Sequence, residues 1–188
     1  MGVMAERRRF SVEEYRRLAA AGILGEDERV ELIEGELIEM APIGSVHASF
    51  VGRFTRVLEG LGRYGALLWV QNPIALPDSE PQPDLAILRE RDDGYERSLP
   101  AASDVLLVIE IADASLAYDR DVKLPLYARH GIPEVWLVDV QGRRLELHRD
   151  PGDHGYRVTV RPDSGDILSP QQLPQVQVAL SALFQASS

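Results

Sequence analysis

Residues 105–140, VLLVIEIADASLAYDRDVKLPLYARHGIPEVWLVDV, decide how this chain is read. Val105 to Ile111 is an apolar run broken only at Glu110, which is the composition of a buried strand. A carboxylate inside such a strand is costly unless something satisfies it. Helical spacing then runs from Asp119 to His130 and stops at Gly131, a natural residue just past a helix end. Pro125 interrupts that helix, so the spacing predicts either a start near Asp121 or a kink at the proline. Glu134 to Val140 is a second buried strand. Lys123, in the helix, is the only lysine, and the other 19 basic residues are arginine. A lone lysine in so Arg-rich a chain points to a position that uses a compact, titratable ammonium rather than a planar fork, although one lysine can also survive by chance.

Working outward, Ser45 to Leu61 carries Val46, Phe50, Val51, Phe54, Val57, Leu58 and Leu61 at helical spacing, with Ser45 as the expected N-cap. Ala66 to Leu76 reads as a strand in which Pro73 marks an edge or an irregularity. Asp78 to Pro83 is a polar turn, Asp84 to Leu88 a short strand, and Arg89 to Asp104 a charged loop. The run 45–140 is therefore α-β-β-β-α-β. It predicts an α/β protein with a mixed, α+β-type sheet and helices on both faces. Before it, Ser11-x-x-Glu14 is a capping box opening a helix over residues 11–21, with Gly22 as the stop. Arg29 to Met40 reads as a hairpin turning at Glu34-Gly35. After it, Arg143 to Arg149 and Gly155 to Arg161 pair as an antiparallel hairpin, residues 162–174 form a loop, and Val176 to Phe184 closes the chain. A single domain over 1–188 is expected, with residues 1–9 a solvated, flexible tail.

Composition narrows the classes. The 188 residues suffice for one proper core. No apolar run approaches the roughly 20 residues that span a bilayer, and no apolar stretch follows the N-terminal arginines as a secretory signal requires. Cysteine is absent, which excludes disulfides and thiolate metal sites. A cytoplasmic location and no membrane partner are expected. The net charge of −10 argues against a non-specific duplex coat, because duplex binding draws on Lys and Arg neutralising phosphates. It leaves room for an enzyme with a local basic groove.

Five words of sequence carry a resemblance: Glu31-Leu-Ile-Glu-Gly-Glu36, Pro81-Gln-Pro-Asp-Leu-Ala86, Val108-Ile-Glu-Ile-Ala112, Tyr118-Asp-Arg-Asp-Val-Lys-Leu-Pro-Leu-Tyr127 and Gly131-Ile-Pro-Glu-Val-Trp-Leu-Val-Asp139. On them, residues 29–184 resemble the Uma2 family, assigned as endonucleases within the PD-(D/E)xK superfamily. The resemblance implies a restriction-endonuclease-like core and hydrolysis of nucleic-acid phosphodiesters, DNA foremost. That chemistry needs Mg²⁺ or Mn²⁺ on oxygen ligands, to polarise the phosphate and acidify a water. Asp84 and Glu110, on adjacent strands, can converge on one metal, and the Ile111 carbonyl is the further ligand the superfamily's pattern implies. Lys123 would stabilise developing charge beside the water and phosphate. The superfamily's usual third motif is Glu-x-Lys on one strand. Here the triplet is Glu110-Ile111-Ala112, so the resemblance places the lysine on the next helix. Glu34 matches an acidic position of the family and His47 a histidine common in it; His47 could touch phosphate or assist proton transfer.

Plainer readings stand beside these. Asp84 after Pro83 could cap turn amides. Glu110 and Lys123 could form a structural ion pair. Glu34 could be a solvated turn residue, and His47 an ordinary residue at a helix start. Asp119 and Asp121 suit the helix start, and Asp139 suits the turn at Gln141-Gly142. The function classes are thus a metal-dependent endonuclease, a non-catalytic interaction module on a decayed nuclease fold, or a hydrolase of small phosphoesters. The superfamily also implies a homodimer, for which the C-terminal hairpin offers a strand edge.

Overall fold

The computed structural model describes residues 7–25 and 28–184. Residues 1–6 of the expected tail lie outside these; Arg7, Arg8 and Arg9 are exposed. Next to the hairpin, Phe10 donates its N–H to the Gly35 carbonyl, and the Arg9 guanidinium donates to the Glu34 carbonyl.

Helix α1 (Val12–Ala20) starts on the capping box, with Ser11 Oγ and Glu14 satisfying each other's amides. Strands β1 (Val30–Ile33) and β2 (Glu36–Glu39) pair antiparallel, and the turn falls on Glu34-Gly35. Both turn residues have positive φ, 50° and 80°, which suits a tight two-residue hairpin. Helix α2 (Ser45–Val57) is capped by Gly44, so Ser45 is its first turn rather than its N-cap. The hydroxyl signal at Ser45 was one position late, because Gly44 already has the extended backbone of a cap.

The central sheet comprises β3 (Ala66–Val70), β4 (Leu85–Arg89), β5 (Val105–Ala112), β6 (Glu134–Asp139), β7 (Arg144–Gly152) and β8 (Gly155–Val160), in that spatial order. Only β5 and β6 are parallel. Strand β3 stops at Val70, six residues short of the expected Leu76. Gln71 there has φ 48°, outside strand geometry, and its N–H donates to the Asp84 carbonyl. The C-terminal segment adds the short pair β9 (Ile167–Leu168) and β10 (Val178–Ala179), then a closing helical turn, Leu180–Phe184.

Side-chain alternation splits the core into two layers. Leu85 and Ile87 of β4, Leu107, Ile109 and Ile111 of β5, and Trp136 and Val138 of β6 pack against Phe50 and Phe54 of α2. Ala86, Leu88, Val108, Ala112, Val135 and Leu137 pack on the other face, against Leu124, Leu126 and Tyr127. That second face is covered by α3 (residues 116–129). The expected mixed sheet with helices on both faces is what forms.

Helix α3 resolves the question posed by Pro125. It opens at Leu116–Tyr118, widens to a π turn over Asp119–Lys123, and continues as Leu124–Arg129. Leu124 donates its N–H to the Asp119 carbonyl, five residues back. The wider turn lets the pyrrolidine ring follow without the clash that a regular α turn would impose, so the helix starts before the proline and runs through it.

Candidate active site

Asp84 precedes β4 and, by the register that sets Leu85 opposite Ile109, comes opposite Glu110. Alternation along both strands sends the two carboxylates to the α3 face. Asp84 Oδ2 accepts the Ile111 N–H at 2.8 Å, which ties the carboxylate to β5. Its Oδ1 lies 2.8 Å from Nε2 of His47, the third residue of α2. The Asp84 carboxylate beside it holds the imidazole above its usual range, against partial burial. His47 Nδ1 is buried and has no hydrogen-bond partner among the described residues.

Glu110 is buried in β5 (3 % exposed) beneath α3. Its Oε1 accepts from Tyr127 Oη at 2.6 Å and lies 3.3 Å from Lys123 Nζ. Lys123 is equally close, 3.3 Å, to Glu31 Oε2 on β1. Glu31 also accepts the Gln82 N–H at 3.1 Å and faces Tyr118 Oη at 3.4 Å. Asp119 completes the floor, accepting from Ser115 Oγ at 2.5 Å. Burial pushes the Glu110 carboxyl up to about 8, with the Lys123 charge pulling the other way. Burial alone would lower the Lys123 ammonium. The carboxylates of Glu110, Glu31, Asp119 and Asp84 outweigh it, so the lysine stays firmly protonated. Burial also raises Asp119. Tyr118 and Tyr127 are raised too, first by burial and then by Glu31 and Glu110 respectively, so both phenols remain proton donors at neutral pH.

Of these groups, Glu31, His47, Asp84, Glu110, Tyr118, Asp119 and Lys123 line one cavity of about 380 Å³, while Tyr127 supports Glu110 from outside it. Its floor is the carboxylate–lysine cluster; one wall is β2 with the segment 40–44, and the other is residues 113–115 with Tyr118. Asp84, Glu110, Ile111, Lys123 and His47 all border it. Glu34 does not. The structure leaves it at the hairpin turn, paired with Arg129 on α3, while Glu31 from the same hairpin occupies the floor. Sequence reasoning missed Glu31 because Val30 and Leu32 set an alternation that should turn it outward. In the fold, Leu32 is fully buried and Glu31 is 2 % exposed, so both faces of β1 are covered. Leu32 bridges to Glu80 on one side, and Lys123 meets Glu31 on the other. The one usable signal was the cluster of three glutamates at 31, 34 and 36 itself. Asp119, read as a helix-start residue, is instead buried in the π turn with Lys123.

The donor set bears on the metal. Among the described residues no three His, Asp or Glu side chains stand together as a ready cage. Mg²⁺ is ordinarily held by one or two carboxylates plus waters and substrate oxygens, so a pair of hard carboxylates at a cavity floor is a sufficient protein contribution. The donors present, Asp84, Glu110 and the Ile111 carbonyl, fit such an ion in kind. No helix among the described residues is long and apolar enough to cross a membrane.

Comparison with known proteins bears on the fold and the family. A crystal structure described as "a putative nuclease belonging to DUF820", from Anabaena variabilis, superposes with a TM-score of 0.70 at 18 % identity, covering 93 % of this chain and 97 % of that one. The likeness fixes a shared fold. No curated protein matches the chain. The family model described as "Putative restriction endonuclease" matches residues 12–182, from α1 to the closing helical turn, and the chain belongs to that family, Uma2.

Proposed function

We propose that the protein is a divalent-metal-dependent nuclease that hydrolyses phosphodiester bonds, in DNA, at the cavity floored by Asp84, Glu110 and Lys123. The observation that supports this most is the convergence of Asp84 and Glu110 on one cavity beside the chain's single lysine, itself buried and charged. Asp84, Glu110 and the Ile111 carbonyl would hold Mg²⁺ or Mn²⁺, which when bound supplies Lewis acidity toward the phosphate and a more acidic water.

The chain's own residues do the positioning. Ile111 N–H and His47 fix the two oxygens of Asp84. Tyr127 fixes Glu110 through Oε1. Lys123 carries three N–H donors and lies 3.3 Å from each of Glu31 and Glu110, so a donor can also turn to a phosphate oxygen or a water. Its preset charge can stabilise the negative charge that builds on the phosphoryl oxygens as the water attacks. Glu31 acts through Lys123 and is a positioning residue. Glu34 has no part in this reading, since its carboxylate is engaged outside the cavity.

Cleavage of a labelled plasmid and oligonucleotide panel in Mn²⁺ tests the proposal. Lys123→Met and Asp84→Asn should each lower the rate at least 100-fold, in line with loss of a transition-state contact worth about 2.7 kcal/mol or more. Undiminished cleavage by Asp84→Asn would sink the assignment. One observation favours a second reading: Lys123 already bridges two carboxylates, as a structural ion network would. A non-catalytic module predicts metal-independent binding and no turnover in the same panel.

A further inference from the structure

The shape and lining of the cavity bear on which form of DNA it takes. The reacting groups lie at its floor, not on an open face: Glu110 and Lys123 are 3 % and 4 % exposed. About 380 Å³ is at the small end of pockets that take a single small molecule, roughly 300–1,000 Å³. A paired duplex is a rigid cylinder whose major groove alone is about 12 Å wide, and its phosphates sit on a convex surface. Lys123, at 4 % exposure, is reached only from inside this cavity, so a phosphate must leave that convex surface and enter between the 40–44 wall and Tyr118 to meet it.

The charge of the lining limits how many phosphates the cavity can take. Six carboxylates line the cavity (Glu31, Glu39, Asp84, Glu110, Asp113 and Asp119), against Arg29, Lys123 and His47. Arg29 has one guanidinium nitrogen occupied by the Ala41 carbonyl at 2.9 Å. Phosphates of a duplex or of a single strand gain affinity from basic side chains, which this lining does not offer in excess, so the charge admits few phosphates at a time and the wall decides the form. The wall is instead apolar, built from Ile38, Met40, Ala41, Pro42 and Ile43. Ile43 is 44 % exposed, and Val46, at the start of α2, is 47 % exposed. Exposed apolar side chains at a mouth can bury themselves against the flat face of an unstacked base, which a paired duplex hides.

We infer that the site takes an unpaired DNA segment, one nucleotide at a time, with its base against the Met40–Ile43 wall and its phosphate on Lys123. The inference rests on the nuclease reading in taking nucleic acid as the ligand. Ile43 selects unpaired substrate and is not part of the reacting floor.

The test uses one labelled sequence in three forms: single-stranded, fully paired, and paired with a five-nucleotide bulge (the size chosen by design, about the span of one small binding site). Binding is read by fluorescence anisotropy in Ca²⁺ and cleavage by gel in Mn²⁺, for wild type and Ile43→Asp. The expected result is at least tenfold tighter binding of the single-stranded and bulged forms, cleavage confined to unpaired nucleotides, and loss of that preference in Ile43→Asp. Equal or tighter binding of the paired form, or a preference untouched by Ile43→Asp, overturns the inference. Cleavage of all forms alike leaves the nuclease reading standing and removes this one. Selective binding without cleavage of any form does the reverse.

Discussion

Lys123 sits 3.3 Å from two carboxylates that reach it from different elements, Glu31 on β1 and Glu110 on β5. All three are buried, so removing the ammonium strands the Glu31 carboxylate without its cation and leaves Glu110, whose carboxyl burial already pushes up to about 8, to take a proton. Breaking a buried pair in this way costs about 3–5 kcal/mol. Lys123→Met should therefore lower the urea midpoint by that order, and adding Glu31→Gln should recover part of the loss. A double-mutant cycle checks this; strictly additive losses would show that the two residues are not coupled. Asp139 is a second single-residue case. Burial alone would raise its carboxyl, but the Gly142 N–H at 2.7 Å and Arg144 at 2.9 Å hold it below its ordinary value. A lowered carboxyl stabilises the fold above its unfolded value of about 3.8 and loses that contribution as pH falls through the folded value. Asp139→Asn should cost about 1 kcal/mol at pH 6 and much less at pH 2.5, read by urea titration at both. Asp84, Glu110, Lys123 and His47 were legible in the sequence because each breaks a local pattern or matches a family word. Glu31 was not. Its alternation is that of an ordinary hairpin, and only tertiary contacts bury both faces of β1.

Among the elements, α3 shows how local chemistry places the site. The π turn Asp119–Lys123 precedes Pro125 and turns both Asp119 and Lys123 into the cavity. Such insertions occur often at functional sites, where the extra residue re-aims side chains. The proline was visible in the sequence. The extra residue was not, because a π turn has no compositional signal and depends on packing against β5. Helix α1 is a different case, since none of its residues is buried. Arg16 ties it down through Nε and Nη2, 2.8 and 3.2 Å from the buried Glu80 carboxylate, and Tyr15 Oη donates to the Val30 carbonyl. Arg16→Met should free α1 to exchange its amides faster, at a cost of about 1–3 kcal/mol from the stranded Glu80. Hydrogen exchange resolved by residue reads this directly; unchanged protection in α1 would show that the tie is dispensable. Helix and strand order was legible throughout 45–140, because strong periodicity survives tertiary context. Boundaries such as Val70 and Gly44 shifted where a backbone turn, not a side chain, sets the end.

Across the whole molecule, the sheet is a rigid stage on which β4 and β5 hold Asp84 and Glu110 opposite each other, and α2 and α3 bring His47 and Lys123 from the two ends of the site. Both core layers meet at β5, every residue of which is buried. Leu107→Ala should therefore cost about 2–5 kcal/mol and lower the thermal midpoint without changing metal affinity. The homodimer implied by the family resemblance would use an edge strand, β3 or β8. The latter leaves Val158 and Val160 about two-fifths exposed. Native mass spectrometry should then give the mass of two chains; a single-chain mass would remove the dimer.

The nuclease reading stands on Asp84 and Glu110 forming a metal site. Calorimetric titration of Mn²⁺ tests it most directly, on wild type and on Asp84→Asn with Glu110→Gln, each with and without an oligonucleotide. Wild type should take up about one or two ions per chain and the double variant none. No binding by wild type even with DNA present, or equal binding by both proteins, would mean that these carboxylates hold no metal.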